Sequence, residues 1–252
     1  MVMNKSELKD FLDFKANQYE NSDFIQFDPI QIPHSFSSKE DIEIVSFLMA
    51  TIAWGNRKSI IANGSKLIEI MGNSPLEYVL GYNPKKEFSF VHRTFNSVDL
   101  DFFFRSLKNI YLNGGLEKSF QLEEENGGLK SRISNFRKLF LSTEHLSRSQ
   151  KHISNPQANS ACKRLVMFLR WMVRDSKKGV DFGIWKSISP SELYIPLDVH
   201  TGNIARKLGL LERTQNDWTT NEELILKLRE FDPKDPAKYD FALFGLGAFE
   251  KF

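Results

Sequence analysis

Two side chains in this sequence have the type and setting for covalent chemistry on an electrophilic carbon. Lys163 follows Ser160 by three residues and stands at the start of a stretch whose apolar positions, Leu165, Val166, Leu169, Met172 and Val173, fall on one helical face. With Ser160 as N-cap, Lys163 sits in the first turn of a helix over residues 160–174, where the dipole is positive, and Arg164 is its neighbour. Both effects disfavour an ammonium, and burial would act in the same direction. A neutral lysine amine is the nucleophile of Schiff-base chemistry. By position alone, an ordinary surface lysine is the commoner reading. Asp198 follows Ile195-Pro196-Leu197, which the proline biases toward extended backbone, and precedes a helical stretch over residues 199–210. It therefore occupies an N-cap position, where backbone N–H groups keep a carboxylate ionised. A plain cap satisfies that observation as well as a catalytic carboxylate does.

Other chemistries lack their residues. Asp198-Val199-His200 offers two metal-type ligands, but His34, His92, His145 and His152 have no ligand spacing, so no metal and no cofactor is expected. No P-loop, dinucleotide fingerprint or Ser-His-Asp motif occurs. The single cysteine, Cys162, can form neither an intrachain disulfide nor a four-thiolate iron–sulfur cluster.

The elements that must position Lys163 and Asp198 read as helices. Ser38-Lys39-Glu40-Asp41 resembles a capping box and opens a helix carrying Ile42, Val45, Leu48, Met49 and Ile52, which should break near Gly55. A second helix runs through Ile60, Ile61, Leu67, Ile68 and Met71 to Gly72-Asn73-Ser74-Pro75. Asn96 can cap a helix over residues 98–112, and residues 123–128 read as a polar loop. The last helices are predicted over residues 221–230 and from Pro236 onward. Few segments read as strands, so the fold class expected is all-α.

The chain has 252 residues, 41% hydrophobic and 26% charged, which suits a globular domain with a sizeable core. No apolar run is long enough to span a bilayer, and residues 1–15 lack a signal-type apolar run, so a cytoplasmic protein is expected. The net charge of +2 conceals a basic span. Residues 130–178 hold twelve Lys/Arg against two acids, Glu144 and Asp175. Such a span reads either as a solvated surface or as a face for a phosphate backbone.

Leu197-Asp198-Val199-His200, followed by Ile204 and Arg206-Lys207-Leu208-Gly209, resembles the Val-Asp-Thr-His-x-x-Arg-Val…Arg-Leu-Gly stretch of the helix-hairpin-helix DNA glycosylases. Cys162-Lys163-Arg164-Leu165-Val166-Met167-Phe168 is similar to the lysine-bearing start of the hairpin's second helix in their bifunctional members, most of all in the archaeal 8-oxoguanine glycosylase branch. Residues 47–71 resemble the first helix–loop–helix of these enzymes, and residues 238–247 their closing helix. The resemblance runs in order over residues 38–252, and over most of the chain it is also close to an uncharacterised bacterial family placed in that superfamily. One stretch departs. Where the hairpin usually reads Leu-Pro-Gly-Val-Gly, residues 153–160 contain no glycine.

The resemblance implies a single unit over residues 1–252, with an active-site cleft between two helical lobes and residues 1–37 as an N-terminal extension packed on it. It implies base-excision repair of double-stranded DNA by a monomer. The enzyme would extrude an oxidised purine such as 8-oxoguanine, with Lys163 as Schiff-base nucleophile and Asp198 as catalytic carboxylate. Ala53-Trp54-Gly55-Asn56-Arg57 would face DNA. Trp54 would stack on a base, Asn56 or Arg57 would enter the gap, and Arg164 and His200 would lie against DNA or base. A core aromatic is an equal reading of Trp54. The alternatives are a non-catalytic nucleic-acid-binding module of the same fold, and an enzyme acting on a modified RNA base or nucleoside.

Overall fold

The computed structural model describes residues 3–84, 88–121, 127–175, 177–250 and 252. The fold is all-α: twelve α-helices and one minimal β-hairpin among the described residues. In chain order these are α1 (Lys5–Tyr19), α2 (Ser22–Phe27), α3 (Lys39–Ile52), α4 (Arg57–Ile70), α5 (Pro75–Leu80), β1 (Val91–His92), β2 (Phe95–Asn96), α6 (Ser97–Leu112), α7 (Gly115–Ser119), α8 (Gly128–Phe140), α9 (Lys163–Val173), α10 (Val199–Lys207), α11 (Trp218–Phe231) and α12 (Tyr239–Ala248). They divide into two compact units. One comprises Phe27–Asn155; the other joins Met1–Gln26 to Pro156–Phe252. The first 37 residues, expected as an extension, are thus shared between the units. No helix among the described residues is long and apolar enough to cross a membrane.

In the unit of residues 27–155, α3 is the central element. Ser38 caps it by accepting the Asp41 amide, and every residue from Ile42 to Ile52 is buried, so this helix has no solvent face. Phenylalanines fill the space around it. Phe47 stacks on Phe103 and meets Phe136 edge-on, and Phe136 stacks on Phe120 at 4.1 Å. Asn96 and Asp99 form a full capping box for α6. Of the expected loop at residues 123–128, residues 123–126 lie outside the described residues, and Gly128 already opens α8.

In the other unit, α1 packs on α12, which contributes Leu243 and Leu246, and α10 and α11 complete the core through Ile204, Ala205, Leu224, Ile225 and Leu228. α1 begins with a capping box from Asn4 and Glu7 and contributes Leu8, Leu12 and Ala16. α1 and α12 approach so closely that a Cβ at Gly245 would lie 2.0 Å from the Tyr19 ring. α9 buries the predicted stripe and also Phe168, Arg170 and Trp171.

Candidate active site

Lys163 is the first residue of α9, and the way the chain enters that helix differs from the sequence reading. The N-cap is Cys162, not Ser160, and no side chain caps the helix. Asn159 and Cys162 both take left-handed backbone, with φ of 59° and 49°. Asn159 is committed to the start of α11. Its carbonyl accepts the Trp218 amide at 3.0 Å, and its side-chain oxygen accepts the Thr219 amide at 3.2 Å and hydroxyl at 3.0 Å. Ser160 pairs with Asp217 in an isolated bridge, and its hydroxyl accepts the Cys162 amide at 3.3 Å. Residues 159–160 are therefore held by α11 before α9 begins. The reversal expected of glycine is made by an asparagine, which takes left-handed backbone more readily than most side chains, and by a buried cysteine, for which it is uncommon.

Asp198 caps α10 as predicted. Its backbone is extended (φ −130°, ψ −172°), and Oδ1 accepts the Thr201 amide at 2.9 Å. Its other oxygen, Oδ2, accepts from Lys163 Nζ at 2.6 Å. One carboxylate thus caps α10 through one oxygen and pairs with Lys163 through the other. The two side chains are 39% and 25% exposed, so the pair is reachable from solvent. Burial raises the Asp198 carboxyl, but the Lys163 ammonium, the Thr201 amide and the positive charge His200 can carry outweigh it and hold the group below its ordinary value. His200 itself is exposed on the first turn of α10, and Arg164 is half-buried, with burial lowering its guanidinium and the Cys162 thiol opposing.

Beneath this pair lies a buried ionic cluster that the sequence reading did not contain. Arg170, seven residues along α9 from Lys163, donates to Asp181 at 3.2 Å and to Asp240. Arg174 donates through Nε to both oxygens of Asp235 at 2.9 Å, and through its terminal nitrogens to Glu20 and to Asp181 at 3.1 Å. Both guanidiniums lie over the Phe241 ring, at 4.5 and 5.3 Å. Two arginines thus serve four carboxylates. Burial pushes Asp240 up to about 6, with Asp198 and Asp181 adding to the rise and Arg170 and Lys163 opposing it. The available signal was the i, i+4 arginine pair set among the apolar positions of α9.

The cluster corrects one expectation. The twelve cations of residues 130–178 are not all surface charges. Arg170 and Arg174 are buried among carboxylates, Lys163 pairs with Asp198, and Arg148 pairs with the buried Asp99 at 3.2 Å.

The remaining predicted residues lie in the unit of residues 27–155. Trp54 is half-buried and meets His92 edge-on at 6.0 Å. The buried His92 ring donates from Nε2 to the Trp54 carbonyl at 3.0 Å and accepts from the Asn63 amide on Nδ1, also at 3.0 Å. Asn56 is the N-cap of α4, and its oxygen accepts the Ser59 amide at 3.3 Å, so that atom is spent on the helix. Arg57 is exposed at the first position of α4. Sequence reasoning missed Arg93. It sits at the turn of the β1–β2 hairpin with φ 55°, and its guanidinium lies 5.1 Å from the Trp54 ring centroid. Gly55 (φ 105°) makes room for it, since a Cβ there would meet Arg93 Nη1 at 2.6 Å.

A family model covers nearly all of this architecture. It describes proteins of unknown function (DUF2400) and matches residues 28–249. The chain belongs to the DUF2400 family. No curated protein and no solved structure matches it. The match takes in Trp54, Arg93, Lys163, Asp198 and Asp240, and among the carboxylates of the buried cluster only Glu20 lies outside it.

Proposed function

We propose that this DUF2400 protein is a DNA base-excision enzyme, a glycosylase with lyase activity that removes an oxidised purine such as 8-oxoguanine. The observation that carries the reading is the 2.6 Å pairing of Lys163 Nζ with Asp198 Oδ2, two groups 35 residues apart in sequence and both open to solvent. The target nucleotide leaves the stack. Lys163 gives up a proton, with Asp198 as the adjacent acceptor, and its lone pair attacks the sugar C1′. The bond from C1′ to the base breaks, and the base departs with that electron pair. Loss of a second proton from nitrogen and opening of the sugar ring give a Schiff base. Removal of a C2′ proton then expels the 3′ phosphate. The Asp198 carboxylate faces the positive charge that develops on the sugar while the base departs.

One observation favours a second reading, a non-catalytic nucleic-acid-binding module. The lysine is engaged as the cation of an ion pair, and a neutral nucleophile is needed for attack. Borohydride trapping on a duplex containing 8-oxoguanine separates the two. The wild type is expected to give a covalent adduct, and Lys163→Ala to give none. Asp198→Ala should lower the trapping rate by on the order of 10²-fold or more, the usual effect of losing a positioned acid–base or electrostatic group. Absence of an adduct with 8-oxoguanine and with a panel of other lesions rejects the catalytic reading.

A further inference from the structure

A second surface, carried entirely within the unit of residues 27–155, combines an aromatic face with positive sequence. The segments 52–60 and 88–98 contain Arg57, Lys58 and Arg93 and no acidic residue. They are adjacent in space. The His92 ring bonds to the Trp54 carbonyl and to Asn63 of α4, and the Arg93 guanidinium lies on the Trp54 ring. A third segment braces the hairpin: Arg148 donates to the Thr94 carbonyl at 2.8 Å and to the Asn96 side chain at 3.2 Å. The charge of Arg148 is balanced by Asp99, so it holds the hairpin and adds little to the field. Arg57, Lys58, Arg93 and Thr94 are exposed, and Trp54 is half-exposed.

A planar π surface beside an exposed guanidinium matches the two chemical features of a nucleotide, a flat base and an anionic phosphate. A purely acidic partner would use the cations and leave the ring idle. We propose that the β1–β2 hairpin is a DNA-contacting element in which Trp54 stacks on an unstacked base and Arg93 binds the neighbouring phosphate. The base takes the ring face that Arg93 covers in the free protein, and the guanidinium swings to the phosphate. The buried His92 fixes the hairpin against the Trp54 segment and α4. This deepens the base-excision reading in naming DNA, but it requires no Schiff-base step.

The test is fluorescence anisotropy at several salt concentrations, with one duplex fully paired and a second carrying an abasic analogue opposite an unpaired base. Wild type, Trp54→Ala, Arg93→Ala, Arg93→Lys and, in the other unit, the control Lys227→Ala are compared, each checked for an unchanged melting curve. Arg93→Ala is expected to weaken both complexes about tenfold and to flatten the dependence of log K on log salt by about one. Arg93→Lys should restore the salt slope. Trp54→Ala should weaken the complex with the unpaired base about tenfold or more, and the paired duplex less. Lys227→Ala should bind as wild type. Equal binding by wild type and Arg93→Ala overturns the proposal, as does a wild type that binds neither duplex. Weakened binding without any borohydride adduct sinks the glycosylase and keeps this surface. An adduct with unaffected Arg93→Ala binding does the reverse.

Discussion

α4 and α9 both begin with two cations at the end where the helix dipole is already positive: Arg57-Lys58 in one and Lys163-Arg164 in the other. Neither has an acid in its first turn. The local cost is similar, yet it is met differently. α4 keeps a conventional cap, Asn56, and leaves its cations at the surface. α9 has no side-chain cap, enters through a left-handed cysteine, and sets Lys163 against the carboxylate that caps α10. Its far half is held by Arg170 and Arg174 in a buried ionic cluster. The contrast separates two uses of positive charge. At α4 it forms part of a surface; at α9 it is bound into the interior and delivers one partly exposed lysine to a carboxylate.

The contrast breaks first at the far end of α9. Arg174→Ala leaves Glu20, Asp181 and Asp235 without their shared cation and should lower stability by about 3–5 kcal/mol, with the thermal midpoint falling by roughly 10 °C. Arg57→Ala, at the exposed start of α4, should change stability by no more than about 0.5 kcal/mol. If both variants melt alike, the cluster does not anchor α9.

The next effect is in pH. Asp240 is raised to about 6 in the folded state, so the native protein binds this proton more tightly than the unfolded chain does. Its contribution to stability is therefore greatest below the unfolded carboxylate value of about 4 and is lost as pH rises toward 6, a change on the order of 2 kcal/mol. Asp198 has the opposite sign. Held below its ordinary value, it contributes fully above about pH 4 and loses that contribution as pH falls through its lower folded value. Urea denaturation from pH 4 to 7 should show Asp240→Asn removing the decline across that window. An unaltered profile would mean that Asp240 does not titrate there.

Smaller changes sharpen the α4 side. Gly55→Ala places a side chain at φ 105° and against Arg93, and should cost about 1–2 kcal/mol in chemical denaturation. Asn56→Ala removes the cap of α4 and should cost about 1 kcal/mol. A neutral result for Asn56→Ala would show that the helix start is held by something other than its cap.

Features fixed by neighbouring residues were legible in the sequence. Ser38, Asn96 and Asp198 cap the helices their local patterns predict, because a cap needs only a side chain and the next three amides. The Lys163–Asp198 pair was legible only through resemblance, since nothing in either segment reports the other's position. Ser160 misled because the backbone of residues 159–160 is held by Asp217 and Trp218, almost sixty residues away. The basic span misled for the same reason: whether Arg170 and Arg174 face water depends on Glu20, Asp181, Asp235 and Asp240. The hairpin around Arg93 escaped because two-residue strands have no periodicity to read and its turn uses no glycine.

The packing of α1 on α12 has a consequence for how the chain comes to be folded as it is made. Residues 27–155 are continuous and can close as soon as they have left the ribosome, whereas the other unit joins Met1–Gln26 to Pro156–Phe252. α1 emerges before those residues, but the Leu243 and Leu246 side chains in its core emerge only after them. Its apolar stripe of Leu8, Leu12 and Ala16 is therefore without its native cover until α12 has been made, and that stretch is where a nascent-chain chaperone or an aggregation partner has a long opportunity to bind.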